Sequence, residues 1–149
     1  MSRPQIGSAW AYSTDGNLTA IQAPSRDITA GSPVVYRWRY EVGAPALTSF
    51  SDGTAATWDV VEYGTNPTVG RAVCLNHPGG TGTVGTVNLS GSRAANSIYG
   101  VELDGTVPAA IDDAPAGVNG TNATVNYTAT GDGTAFAVTG YYSLSSTTP

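Results

Sequence analysis

The sequence predicts an all-β chain folded as a single antiparallel β-sandwich, jelly-roll or immunoglobulin-like, with about eight to ten short strands. Three observations predict it. Apolar residues alternate with polar ones at period two in segment after segment, turn signals recur about every ten residues, and no segment carries a helical repeat. The pattern is clearest in Ser97-Ile98-Tyr99-Gly100-Val101-Glu102-Leu103-Asp104-Gly105, where Tyr99, Val101 and Leu103 share one face and Ile98, Gly100 and Glu102 the other.

Residues 1–7 read as an N-terminal arm, with Pro4 opposing regular structure. A first strand is expected over Ser8 to Tyr12, centred on Trp10, and Asp15-Gly16 then signals a hairpin into Leu18 to Gln22. Pro24 to Pro33 reads as a connecting loop. Val34 to Val42 follows as the most amphipathic strand, with Tyr36, Trp38, Tyr40 and Val42 on one face and Val35, Arg37, Arg39 and Glu41 on the other. The aromatic face is expected to be core, since each ring buries about 150–250 Å². The charged face is expected to meet solvent or an interface.

Ala46 to Phe50 is a short strand ending at an Asp52-Gly53 turn. Thr57 to Tyr63 alternates Trp58, Val60 and Glu62 against Asp59, Val61 and Tyr63, and Gly64 to Gly70 breaks it. Arg71 to Asn76 and Val84 to Leu89 are further strands, with His77 to Gly82 a loop between them. Residues 105–120 form the longest expected loop, through Pro108, Asp112, Asp113 and Pro115. Strands return over Ala123 to Thr130 and Thr134 to Leu144, and residues 145–149 are a polar tail.

With 149 residues and 40% apolar content the chain suits one domain, spanning 1–149, with one core. Cys74 is the one cysteine, so the fold rests on packing and backbone ladders instead of disulfides. Only 11% of residues are charged, well below the usual quarter, which suggests a surface partly covered by other copies or other proteins. The net charge of −5 and six dispersed arginines argue against nucleic-acid binding, and neither a signal peptide nor a long apolar run argues for a membrane.

Candidate chemistry is sparse. Gly80-Thr81-Gly82-Thr83-Val84-Gly85 matches the G-x-G-x-x-G pattern, with Asp104 about twenty residues on, but dinucleotide binding needs a helix after the glycines and a strand is expected there, so a flexible hairpin is the expected reading. Cys74 and His77 have C-x-x-H spacing; a buried thiol followed by a loop histidine is the expected reading, and two such ligands do not close a zinc site. Asp104, Asp112, Asp113 and Asp132 are loop carboxylates of the kind calcium uses, without a calcium-loop spacing. No catalytic residue, cofactor or metal is therefore assigned. Trp10, Trp38, Trp58, Tyr63, Tyr141 and Tyr142 are possible members of a sugar-stacking platform, and Trp10, among small residues near the terminus, is expected to be the exposed one. Assembly or glycan contacts are expected at Trp10, Arg37, Arg39, Asp112 and Asp113.

Ala30-Gly31-Ser32-Pro33-Val34-Val35-Tyr36, Trp58, Arg71-Ala72-Val73, Gly85-Thr86-Val87-Asn88-Leu89 and Ile98 to Gly105 resemble the strand order of β-sandwich accessory proteins of tailed phages and phage-like particles. The likeness spans about residues 30 to 144, and no catalytic residue travels with it. It implies a virion protein (capsid decoration, head spike or fibre base, or tail-associated adhesin) that forms a homo-oligomer and docks on other virion proteins such as a capsid protein, after synthesis in the bacterial cytoplasm. A carbohydrate-binding module or lectin-like adhesin, recognising host surface polysaccharide, is the alternative, and an enzyme is the third reading.

Overall fold

The computed structural model of the protein describes residues 5–14, 16–41, 46–63 and 68–104, and these form ten strands with no helix among them. In chain order they are β1 (Gln5–Thr14), β2 (Leu18–Gln22), β3 (Arg26–Ile28), β4 (Val34–Tyr40), β5 (Leu47–Ser51), β6 (Asp59–Tyr63), β7 (Thr68–Cys74), β8 (Gly80–Thr83), β9 (Thr86–Arg93) and β10 (Asn96–Asp104). They assemble into a five-stranded sheet ordered β1-β10-β4-β7-β6, a three-stranded sheet ordered β2-β9-β5, and the pair β3-β8. Each strand pairing is antiparallel. The all-β, antiparallel, sandwich-like class expected from the sequence is the one observed.

Register explains which faces are buried. Tyr36 lies opposite Gly100 and Ala72, and Trp38 opposite Ile98 and Gly70, so the aromatic face of β4 continues onto β10 and β7. Trp10 lies opposite Gly100 and Val60 opposite Ala72, which extends the same face to β1 and β6. The three-stranded sheet contributes Ile21, Val87 and Leu89, and Phe50 of β5 reaches across to stack on Trp38 at 5.5 Å and to meet Tyr36 at 5.2 Å. Burying about 150–250 Å² per ring contributes at most about 4–6 kcal/mol of transfer free energy, so this aromatic layer is a large part of the cohesion between the sheets.

Three glycines make room for those rings. A side chain on Gly70 would enter the Trp38 ring, one on Gly100 the Trp10 ring, and one on Gly85 the Tyr36 ring. Each ring therefore fills the space that a side chain would take at the facing glycine.

Several local expectations are corrected. The Asp15-Gly16 signal does not join a hairpin: β1 pairs with β10 while β2 pairs with β9, so the chain crosses from one sheet to the other there. Gly80 to Gly85 is not a hairpin either, because β8 pairs with β3 and β9 with β2 and β5. The Pro24 to Pro33 loop contains β3, and the His77 to Gly82 loop runs into β8. The expected arm is shorter at its inner end, since β10 offers partners as far as Gln5. The expected loop at 105–120, the strands expected after it and the expected tail at 145–149 lie outside the described residues.

Candidate functional site

The most chemically capable grouping among the described residues is a buried His77, Asp52 and Thr54 cluster, where the loop after β7 meets the end of β5. His77 is held by its own backbone: its N–H donates to the Ser32 carbonyl at 3.1 Å, and its carbonyl accepts from Gly31 N–H at 2.8 Å. Its ring lies 5.8 Å from that of Trp58. Nδ1 accepts a hydrogen bond from the Gly79 amide at 3.0 Å, which puts the ring proton on Nε2, and Nε2–H donates to Asp52 Oδ2 at 2.6 Å.

Asp52 is equally committed. Its Oδ1 accepts from the Thr54 amide at 3.1 Å and from the Thr54 hydroxyl at 2.7 Å. Burial by itself would raise this carboxyl; the bonds from His77 and Thr54 together outweigh burial and hold it below its ordinary value. Both side chains are fully inaccessible, at 0% each. A histidine working as a general base must present one ring nitrogen to a substrate. Here one nitrogen is capped by a main-chain amide and the other by a carboxylate, so the cluster ties two loops together instead of moving protons.

The turn that caps Nδ1 depends on Gly79, which has φ +81° and sits against the Ala30 backbone. A side chain there would meet both a disfavoured conformation and a steric wall.

Cys74, at 3% exposure, is close enough to feel the same carboxylate: burial first, and then the Asp52 charge, push its thiol up. A raised thiol is a poor nucleophile at neutral pH. Both His77 nitrogens are engaged elsewhere, so the C-x-x-H spacing does not make a nucleophile and base pair. The G-x-G-x-x-G run is β8 followed by a strand, and the Gly82 amide is taken by Asp27 Oδ1 at 2.8 Å. Among the described residues no group of three metal-ligating side chains converges.

Glu62 forms a second polar focus beside the core. It accepts from Trp38 Nε1 at 3.0 Å and from the Tyr40 hydroxyl at 3.0 Å. Burial, and next the Glu62 charge, push the Tyr40 phenol up to about 12. Burial, and next the Asp52 charge, push the Tyr36 phenol up to about 12 as well. Glu102 reaches out of β10 to accept the Thr29 amide at 2.8 Å. These contacts serve packing.

The residues expected to make assembly or glycan contacts separate. Trp10, expected to be exposed, is 5% exposed and meets Tyr36 edge-on at 5.7 Å. Arg37 and Arg39 project from the outer face of the five-stranded sheet, where they are half-buried; Val35, Val101 and Leu103 on that face are buried. On the same face Arg71 pairs with Asp59 at 3.0 Å. Asp112 and Asp113 lie outside the described residues, as do Tyr141 and Tyr142. The His77 to Asp52 pair was missed by sequence reasoning because its members are 25 residues apart in two different loops.

No family model, curated protein or solved structure matches this chain.

Proposed function

We propose that this chain is a structural protein of a phage or phage-like particle, a shell-associated accessory component that acts by assembling as a symmetric oligomer. The observation that carries the reading is the commitment of the reactive groups among the described residues: His77, Asp52 and Cys74 are buried and tied into the fold, which leaves the described surface as the part available for function. The strand-order resemblance to phage accessory sandwiches supports the same reading. So does a chain in which only 11% of residues are charged, because lightly charged surfaces suit contact with other subunits. Such a component is made in the bacterial cytoplasm and carried into the particle. The glycan reading loses its expected exposed ring with the burial of Trp10.

Negative-stain imaging of the purified, concentrated protein tests the proposal. Discrete particles with rotational symmetry are the expected result. A field of isolated 15.1 kDa monomers at every concentration overturns it.

A further inference from the structure

We infer that β1 is the assembly edge, where a second copy of the chain adds its own β1 antiparallel across a two-fold axis and joins two five-stranded sheets into one. The inference rests on the assembly reading above and names the surface through which it acts.

β1 ends the order β1-β10-β4-β7-β6, and from Gln5 to Thr14 it is registered to β10 on one side. No strand among the described residues pairs with its other side. Sheet edges are ordinarily blunted by short length, charge, proline or a bulge. The other edges among the described residues are blunted in these ways. β6 carries Asp59 and Glu62, β2 and β5 have 5 residues each, and the small β3-β8 pair carries Arg26 and Asp27. β1 is different: its 10 residues, QIGSAWAYST, contain neither charge nor proline. Its one irregularity falls between Ile6 and Ser8, which leaves the register unbroken from Ser8 to Thr14.

The chemistry of that run favours its own copy. Ala9, Ala11 and Ser13 are exposed on one face, so antiparallel registers that align these positions set small against small with no like charges opposed. Burial of Trp10 against the Gly100 backbone holds the strand extended in advance, so pairing gains roughly one main-chain hydrogen bond per residue with little ordering cost. A two-fold contact of this kind is isologous and builds oligomers with an even number of chains.

The test compares the full-length protein with the Ala9→Lys/Ala11→Lys variant, both substitutions being at exposed positions, by sedimentation over a concentration series. The wild type is expected to form an oligomer with an even number of chains. The variant is expected to associate at least about tenfold more weakly, with unchanged tryptophan emission, because opposed lysines repel across the new ladder. Amide exchange of the wild type supplies a second reading that needs no variant: alternate amides between Ser8 and Thr14 should gain protection as concentration rises. A variant that associates like the wild type, or a wild-type trimer or pentamer, overturns the edge inference and leaves the assembly reading standing. A wild type that stays monomeric with freely exchanging β1 amides overturns both. A monomer whose β1 amides are protected at every dilution shows the edge filled by its own chain and also overturns the inference. If the double variant does not fold, the concentration dependence of wild-type exchange decides alone.

Discussion

Replacing Asp52 with alanine should be among the most damaging single changes to this fold. The carboxylate accepts from His77 Nε2–H at 2.6 Å, from the Thr54 hydroxyl at 2.7 Å and from the Thr54 amide at 3.1 Å. Its loss strands the Nε2–H of a fully inaccessible imidazole and two donors on Thr54. A stranded buried donor costs about 1–3 kcal/mol and three donors lose their acceptor, one of them on a fully buried ring, so Asp52→Ala should lose about 3–5 kcal/mol. Asp52→Asn, which keeps an accepting oxygen, should lose less. The pH dependence gives a sharper signature. A carboxyl held below its unfolded value stabilises the protein fully above that unfolded value, and the contribution disappears as pH falls through the folded one. The difference between wild type and Asp52→Asn should therefore be greatest at neutral pH and shrink in acid below the ordinary carboxylate range. Denaturant unfolding followed by tryptophan emission measures both, with Trp58 reporting from beside His77. If Asp52→Ala unfolds within about 0.5 kcal/mol of wild type at neutral pH, the cluster is not a structural tie and the reasoning fails.

Three further outcomes follow from the packing. Gly70→Ala and Gly100→Ala each push a methyl into a tryptophan ring and should destabilise by about 1–3 kcal/mol or more, read as a lower denaturant midpoint with a blue or red shift of native emission; a neutral result would mean the rings do not fill the space at those glycines. Glu62→Ala strands Trp38 Nε1 and the Tyr40 hydroxyl and should cost about 1–3 kcal/mol, whereas Glu62→Gln, which keeps an acceptor, should restore part of it in the same assay. Cys74 should resist thiol reagents at neutral pH in the native protein and react promptly in denaturant; stoichiometric labelling of the folded chain within minutes would contradict its burial.

The aromatic face of β4 was legible because period-two alternation survives in the sequence whatever the strand pairs with: Tyr36, Trp38 and Tyr40 had to share a face. Pairing was not legible at Asp15-Gly16, because turn chemistry is local while the choice of partner is decided by strands some eighty residues away, such as β10 for β1. Trp10 is buried although its neighbours in the sequence are small. Its small sequence neighbours, Ala9 and Ala11, point to the opposite face of the strand, and the neighbour that matters is Gly100 across the ladder, whose missing side chain makes the space the ring fills. β3 and β8, at 3 and 4 residues, are too short to show alternation at all. Of the polar sites, Asp52 carries the signature of an Asp-Gly turn and His77 that of a loop residue; their meeting is a property of the folded sandwich alone.

If the protein acts by assembly, as proposed, sedimentation equilibrium of the wild type from micromolar to millimolar concentration should give a mass that settles at a fixed multiple of 15.1 kDa and stays there as concentration rises. A mass of one chain throughout the series would contradict it.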